Sequence, residues 1–241
     1  MKITILVLLS MVFLNAINLN KQQTNITDVN NTTATIKIGD LKIGQSGIVV
    51  HRFDNKRFII LTNAIVVSSD KNSSKIKFIQ SDILHQDALP TTTLIPKDKD
   101  LFVLNHLYDT SLLIVPNYEA QQKIIKLYPT NNFIDIDIFA SELKMQNSPL
   151  PTKSQIVKFA KHNNLGTIFI DISNRLYILD VLTFKVIDIK DLDIKDKKIQ
   201  VPFFTNVQDI KISMWNWFGE EKIKDYDRYY GKLIGIKDDR K

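Results

Sequence analysis

The sequence predicts an α+β protein: an N-terminal antiparallel β unit, barrel-like or sandwich-like, followed by an α/β unit and a C-terminal helix. Three observations predict it. Between residues 35 and 80, short apolar stretches follow one another closely and are separated by polar turns, the pattern of an antiparallel meander. Between 101 and 116, two nearly continuous apolar runs lead straight into an amphipathic helix. Between 152 and 189, a capped helix precedes a hairpin and a further strand.

The composition is that of a folded chain. At 241 residues, 44% apolar and 24% charged, it can build a substantial core as one large domain or two small ones. Seven Gly and seven Pro are too few for a disordered or repeat scaffold. The absence of Cys excludes disulfides, thiol catalysis, thiolate metal sites and a lipidated N-terminal Cys.

Residues 1–16 follow the plan of a secretory signal: Lys2, an apolar run from Ile3 to Leu14, and Ala16 where cleavage can fall. The run is short for a membrane span, so export is the expectation. Residues 17–34 are rich in Asn, Gln and Thr without an apolar period, and read as a disordered leader. Strands are expected at Thr35 to Ile38, Ser46 to Arg52, Arg57 to Val67 and Lys75 to Gln80, with turns at Asp54-Asn55 and Asp70 to Ser74. Leu101 to Leu107 and Ser111 to Pro116 read as paired strands buried on both faces, joined tightly by Tyr108-Asp109-Thr110. Asn117 offers an N-cap to a helix whose stripe is Ala120, Ile124, Leu127 and Tyr128.

Phe133 to Met145 fits two periods. Ile134, Ile136 and Ile138 alternate as in a strand, whereas Ile136, Phe139, Ala140 and Leu143 fit helical spacing better. Thr152 and Gln155 form a capping box for a helix to His162. Thr167 to Ile172 and Leu176 to Val181 make a hairpin around Ser173-Asn174, and Phe184 to Ile189 adds a strand. Residues 35–190 are thus expected to form the main α+β domain. Residues 191–241 follow as a charged turn and an aromatic-rich segment in which Ile223, Tyr226, Tyr230 and Leu233 recur at helical spacing and pack on the domain.

No catalytic constellation is legible. His51, His85, His106 and His162 lack HxxxH or HExxH spacing, so no zinc site is expected. Gly44-Gln45-Ser46-Gly47 is not a GxSxG elbow, because its second Gly comes one residue early, and a turn explains both glycines. The carboxylate pairs Asp98/Asp100 and Asp135/Asp137 lack the further ligands of a calcium loop. No Gly-rich phosphate loop occurs. The expectation is a protein that is not an enzyme, with no metal and no cofactor. Net charge is +6, or +5 once Lys2 leaves with the signal. Such a balance suits anionic lipid or acidic partners, export disfavours nucleic acid, and Lys and Asp scattered over solvated faces are the plainer explanation of the balance. Trp215 and Trp217 could stack on sugar rings or anchor a protein partner, although core packing is the plainer reading.

One family shares the order of these features. Gly47-Ile48-Val49-Val50-His51, Ala88-Leu89-Pro90-Thr91-Thr92, Asp100 with Leu107-Tyr108, and Leu112-Leu113-Ile114-Val115-Pro116-Asn117 carry the likeness. Pro151-Thr152-Lys153, Gly166, Leu176-Tyr177-Ile178-Leu179-Asp180, Phe184-Lys185, Pro202-Phe203-Phe204-Thr205, Asp225-Tyr226 and Tyr229-Tyr230 extend it. Over residues 40 to 235 the chain resembles the N-terminal domain of bacterial plasminogen-binding surface proteins. The resemblance implies a secreted or surface-exposed protein that captures host plasminogen and is not a protease. Longer members continue into a highly charged C-terminal region, whereas this sequence runs to Lys241. A C-terminal Lys presents an ammonium and a free carboxylate together, the zwitterion that a kringle's lysine pocket recognises, so Lys241 is the candidate contact. The competing reading is an exported cell-envelope protein, periplasmic or outer-membrane-associated, that binds glycan or another envelope protein through Trp215 and Trp217.

Overall fold

The computed structural model describes residues 19–54, 56–79, 94–207 and 222–236. Its first unit is a closed antiparallel barrel of six strands: β1 (Gln22–Thr27), β2 (Thr33–Ile36), β3 (Ser46–Arg52), β4 (Phe58–Ser69), β5 (Ser74–Ile79) and β6 (Leu101–Leu104). The order around the barrel is β1-β2-β5-β4-β3-β6, with β6 pairing back onto β1. Alternation fills it: Ser74 and Ile76 are buried while Lys75 and Lys77 between and beyond them are exposed. Ile26, Ile36, Val49, Val66, Ile76, Phe102 and Leu104 meet inside.

This barrel corrects the leader. Residues 17–34, expected to be disordered, instead supply β1 and the start of β2. Gln22 to Asn25 pair with Leu104 to Leu101, and Ile26-Thr27 with Ile36-Thr35. A polar strand suffices because the ladder is made by backbone groups, and only one side chain of β1, Ile26, is fully buried.

The second unit is a mixed sheet of β7 (Thr110–Ile114), β8 (Asn132–Phe133), β9 (Thr167–Ile172), β10 (Arg175–Asp180) and β11 (Val186–Asp191), in the order β11-β10-β9-β7-β8. β7 runs parallel to β8 and β9, and β9, β10 and β11 are antiparallel. A second correction follows. The two apolar runs at 101–107 and 111–116 are not a pair: β6 sits between β1 and β3, and β7 between β8 and β9. The turn that begins at Asn105 (φ 58°) sends the chain out of the barrel and into the sheet. Each run is buried on both faces as expected, and it is this two-sided burial that hides the partner from the sequence pattern.

Helices cover the sheet on both sides. Leu112, Ile114, Ile168 and Ile170 face α2 (Ile136–Met145), α3 (Lys153–His162) and α4 (Tyr226–Leu233), where Phe139, Phe159, Phe203, Tyr226 and Tyr230 complete one core. Leu113, Val115, Phe169 and Ile178 face α1 (Tyr118–Leu127) and form the other with Ala120 and Ile124. The capping expectations hold: Asn117 accepts from the Ala120 amide at 2.9 Å, and Thr152 with Gln155 forms the capping box. The ambiguous 133–145 stretch divides into the two-residue β8 and then α2, capped by Asp135. Ser173 and Asn174, both at positive φ, turn β9 into β10. Residues 192–198 are less exposed than their charge suggests. Leu192 and Ile194 are buried on the α1 side, and the Glu119 carboxylate accepts from the amides of Lys195 and Asp196.

Candidate functional site

The two units meet where the start of β3 touches the end of β10. Gly44, at φ 101°, places Gln45 and Ser46 against the sheet. There Asp180 is fully buried and gathers four donors. Its Oδ2 accepts from the Ser46 hydroxyl and from Tyr108 Oη at 2.8 Å. Its Oδ1 accepts from the Thr183 amide at 2.7 Å and faces Thr183 Oγ1 at 2.9 Å. Thr183 Oγ1 is equally close to the Gly44 carbonyl, 2.9 Å, so one hydroxyl proton serves both units. The Ser46 amide donates to Tyr108 Oη, and Gln45 Nε2 reaches Asn105 Oδ1. Burial raises the Asp180 pKa in spite of these donors, and burial together with the Asp180 charge raises that of Tyr108. Gly166 completes the junction: a Cβ there would lie 2.4 Å from the Leu107 carbonyl.

A cavity of about 130 Å³ opens beside this network, lined among others by Ser46, Gly47, Asn63, His106, Leu107 and Lys161. Burial, then the charge of Lys21, lowers the His106 pKa. The Ser46 hydroxyl is engaged directly by a carboxylate, and no imidazole among the described residues bonds to it. This arrangement ties two units together and supplies no nucleophile–base relay. The four-donor network is not legible in the sequence, where Asp180 appears within an apolar strand and in the Leu176-Tyr177-Ile178-Leu179-Asp180 run that carries the family resemblance.

A second buried carboxylate lies on β9. Asp171 is 1% exposed and its Oδ1 has no hydrogen-bond partner, as is true of the buried Tyr226 hydroxyl on α4. Burial pushes the Asp171 pKa up to about 7, with the charge of Asp227 adding to it and the Asn174 amide opposing it. Asp227 itself accepts from the Ser173 amide and hydroxyl.

On the outer surface, α3 carries exposed Lys153, Lys158, Lys161 and His162 and has no acidic residue. Lys153 Nζ lies 4.6 Å from the Phe184 ring centre. Lys158 and Lys161 have no ion pair among the described residues. The sequence-predicted contacts Lys241, Trp215 and Trp217 lie outside the described residues, as does the signal-like stretch 1–16. Among the described residues no group of three or more His, Asp or Glu is arranged to hold a metal ion, and no helix is long and apolar enough to cross a membrane.

Comparison with known proteins adds what the geometry lacks. The family model described as plasminogen-binding protein pgbA N-terminal matches residues 21–234, which takes in the barrel, the sheet and α4. Plasminogen-binding protein PgbA of Helicobacter pylori strain J99 is 27% identical over 197 residues, covering 81% of this chain and 43% of that protein. Its counterpart in strain 26695 is 26% identical over the same span. The chain therefore spans less than half the length of these relatives. No solved structure matches.

Proposed function

The chain belongs to the plasminogen-binding protein pgbA N-terminal family, and from that membership we propose that it is an exported, non-catalytic surface module that captures host plasminogen. The observation that carries this reading is the extent of the match, residues 21–234, which begins before β1 and ends after α4. The relatives are named as binding proteins rather than enzymes, and the junction around Asp180 supplies a latch in place of a catalytic relay. The N-terminal residues 1–16, with their signal plan, support export.

The contact follows from the chemistry of a kringle's lysine pocket, which pairs an anionic centre with an ammonium and a cationic centre with a carboxylate. Lys241 offers an ammonium with the carboxylates of Asp238 and Asp239 close by in sequence. The lysines of α3 offer ammonium groups with no neighbouring acid in the helix, so they fit that pocket less well. Surface plasmon resonance of the full chain against plasminogen, with and without Lys241 and with a lysine analogue as competitor, tests the proposal. The expected result is binding that the analogue competes and that deletion of Lys241 sharply weakens. Equal affinities with and without Lys241 remove it as the contact, and no binding by either form overturns the function. Nonspecific attraction to the cationic surface is distinguished because it falls steeply with salt and ignores the analogue. Protease shaving of intact cells tests the surface location.

A further inference from the structure

The hairpin between β3 and β4 projects from the barrel at the end away from the sheet. Ser46, at the start of β3, is held at the junction by Asp180. Arg52, at the end of the strand, lies six residues further on, roughly 20 Å at about 3.3 Å per residue. The root of the hairpin is fixed. His51 Nδ1 lies 2.7 Å from Oδ1 of Asp100, a buried carboxylate whose Oδ2 accepts from the Lys97 amide at 2.9 Å. The tip is closed by the Phe53 amide donating to the Arg57 carbonyl, and by Asp54 Oδ1 accepting from the amides of Lys56 and Arg57.

Three large apolar side chains of this hairpin are exposed. Phe53 is 56% exposed, Phe58 66% and Ile60 47%. Phe58 and Ile60, two apart on β4, share one face of the strand. A single exposed Phe needs no explanation, but this hairpin end carries large apolar side chains on both faces: Phe58 and Ile60 lie opposite Arg52 and Val50, and Phe53 lies edge-on to His51 on the other face. The same tip carries the exposed cations Arg52, Lys56 and Arg57 against one carboxylate, Asp54. Arg57 Nε takes Asp54 Oδ2 at 2.7 Å, and Arg52 and Lys56 have no ion pair among the described residues.

We propose that this hairpin is a membrane-contacting finger that places Phe53, Phe58 and Ile60 at the surface of an anionic phospholipid bilayer while Arg52 and Lys56 pair with lipid phosphates. Three apolar side chains at one hairpin end are far fewer than the roughly 20–30 residues a side that a stable protein interface uses. Aromatic side chains at headgroup depth with flanking Lys and Arg are what an anionic lipid interface accommodates. The contact would hold the barrel end to the bilayer and turn the sheet unit away from it. It is independent of plasminogen binding.

The test is co-sedimentation of the full chain with vesicles of phosphatidylglycerol and phosphatidylcholine, compared with phosphatidylcholine alone. A Phe53→Ser/Phe58→Ser variant and an Arg52→Glu/Lys56→Glu variant are measured alongside, so that any contribution of the apolar residues 3–14 is common to all forms. Each double variant is expected to lose about tenfold or more in partitioning to anionic vesicles while keeping the thermal midpoint of the parent, since the altered side chains are exposed. The chain has no Cys, which permits a second readout independent of those substitutions. A polarity-sensitive dye on Arg57→Cys should shift to the blue with anionic vesicles, and the same dye on Ser141→Cys of α2 should not. Equal partitioning of parent and double variants, or a dye at position 57 that stays in water, overturns the proposal.

Discussion

Replacing Asp171 by Asn should make the protein more stable at neutral and alkaline pH and leave it nearly unchanged in acid. Asp171 is buried on β9 with one carboxylate oxygen lacking a partner, and burial with the nearby Asp227 charge pushes its pKa up to about 7 from an ordinary aspartate's 3.8. The folded state therefore holds this proton more tightly than the unfolded chain does. Below about pH 4 both states are protonated and the group makes no charge penalty. As pH rises from about 4 to about 7 the unfolded chain releases the proton first, so stability falls across that window and levels off above it. A difference of about three pKa units corresponds to about 4 kcal/mol, an upper figure because the Asn amide must itself be buried. Urea denaturation of both proteins at half-unit steps from pH 4.5 to 8 gives the difference in stability directly, and titrating groups not coupled to Asp171, as Asp227 is, cancel. The difference should grow with pH in favour of Asn and reach a plateau above pH 7. A difference that is constant across the range would show that Asp171 does not ionise in this window and would refute the account of its burial.

Three further outcomes follow from the same structure and a fourth from the sequence. Leu113→Asp or Ile114→Asp places a carboxylate at a position 3% or 0% exposed and should cost several kcal/mol, enough to prevent folding of a domain with roughly 5–15 kcal/mol of stability; unchanged thermal melting would contradict the assignment of β7. Asp180→Ala strands the Ser46, Tyr108 and Thr183 donors and should cost about 2–4 kcal/mol in denaturant, more than the removal of Thr183 Oγ1 alone by Thr183→Val. Gly166→Ala sets a methyl 2.4 Å from the Leu107 carbonyl and should cost about 1–3 kcal/mol by the same measurement. Mass spectrometry of exported protein should find an N-terminus near residue 17, and recovery of Met1 would contradict removal of the signal.

The sequence was most readable where a local chemical device sets the structure. The Asn117 cap, the Thr152–Gln155 box and the Ser173-Asn174 turn each involve residues within four positions of one another, and each sits where it was read. β3, an apolar run with a turn at each end, has the bounds expected from the sequence. The partners of β6 and β7 were not readable, because a strand buried on both faces has no period that distinguishes one neighbour from another. β1 was missed for the opposite reason: its stability comes from ladders to Leu101–Leu104 and Ile36, remote in sequence, and its own side chains give almost no signal. The junction fared likewise. Ser46 and Asp180 are 134 residues apart, and nothing local to either announces the other.

The closure of the barrel by β1 on β6 bears on the order in which the molecule can be made. During synthesis from the N-terminus, β1 emerges some seventy residues before the strand that completes its ladder, at roughly 5–20 residues per second. For several seconds the nascent barrel must therefore present an unsatisfied edge at β6's place, the condition that invites pairing between chains. The composition of Gln22-Gln23-Thr24-Asn25 answers that hazard. A waiting strand with a single Ile in its buried register offers little apolar surface for a neighbouring nascent chain to zip against. The polarity that makes β1 inconspicuous in the sequence is the property that lets the barrel wait for its last strand.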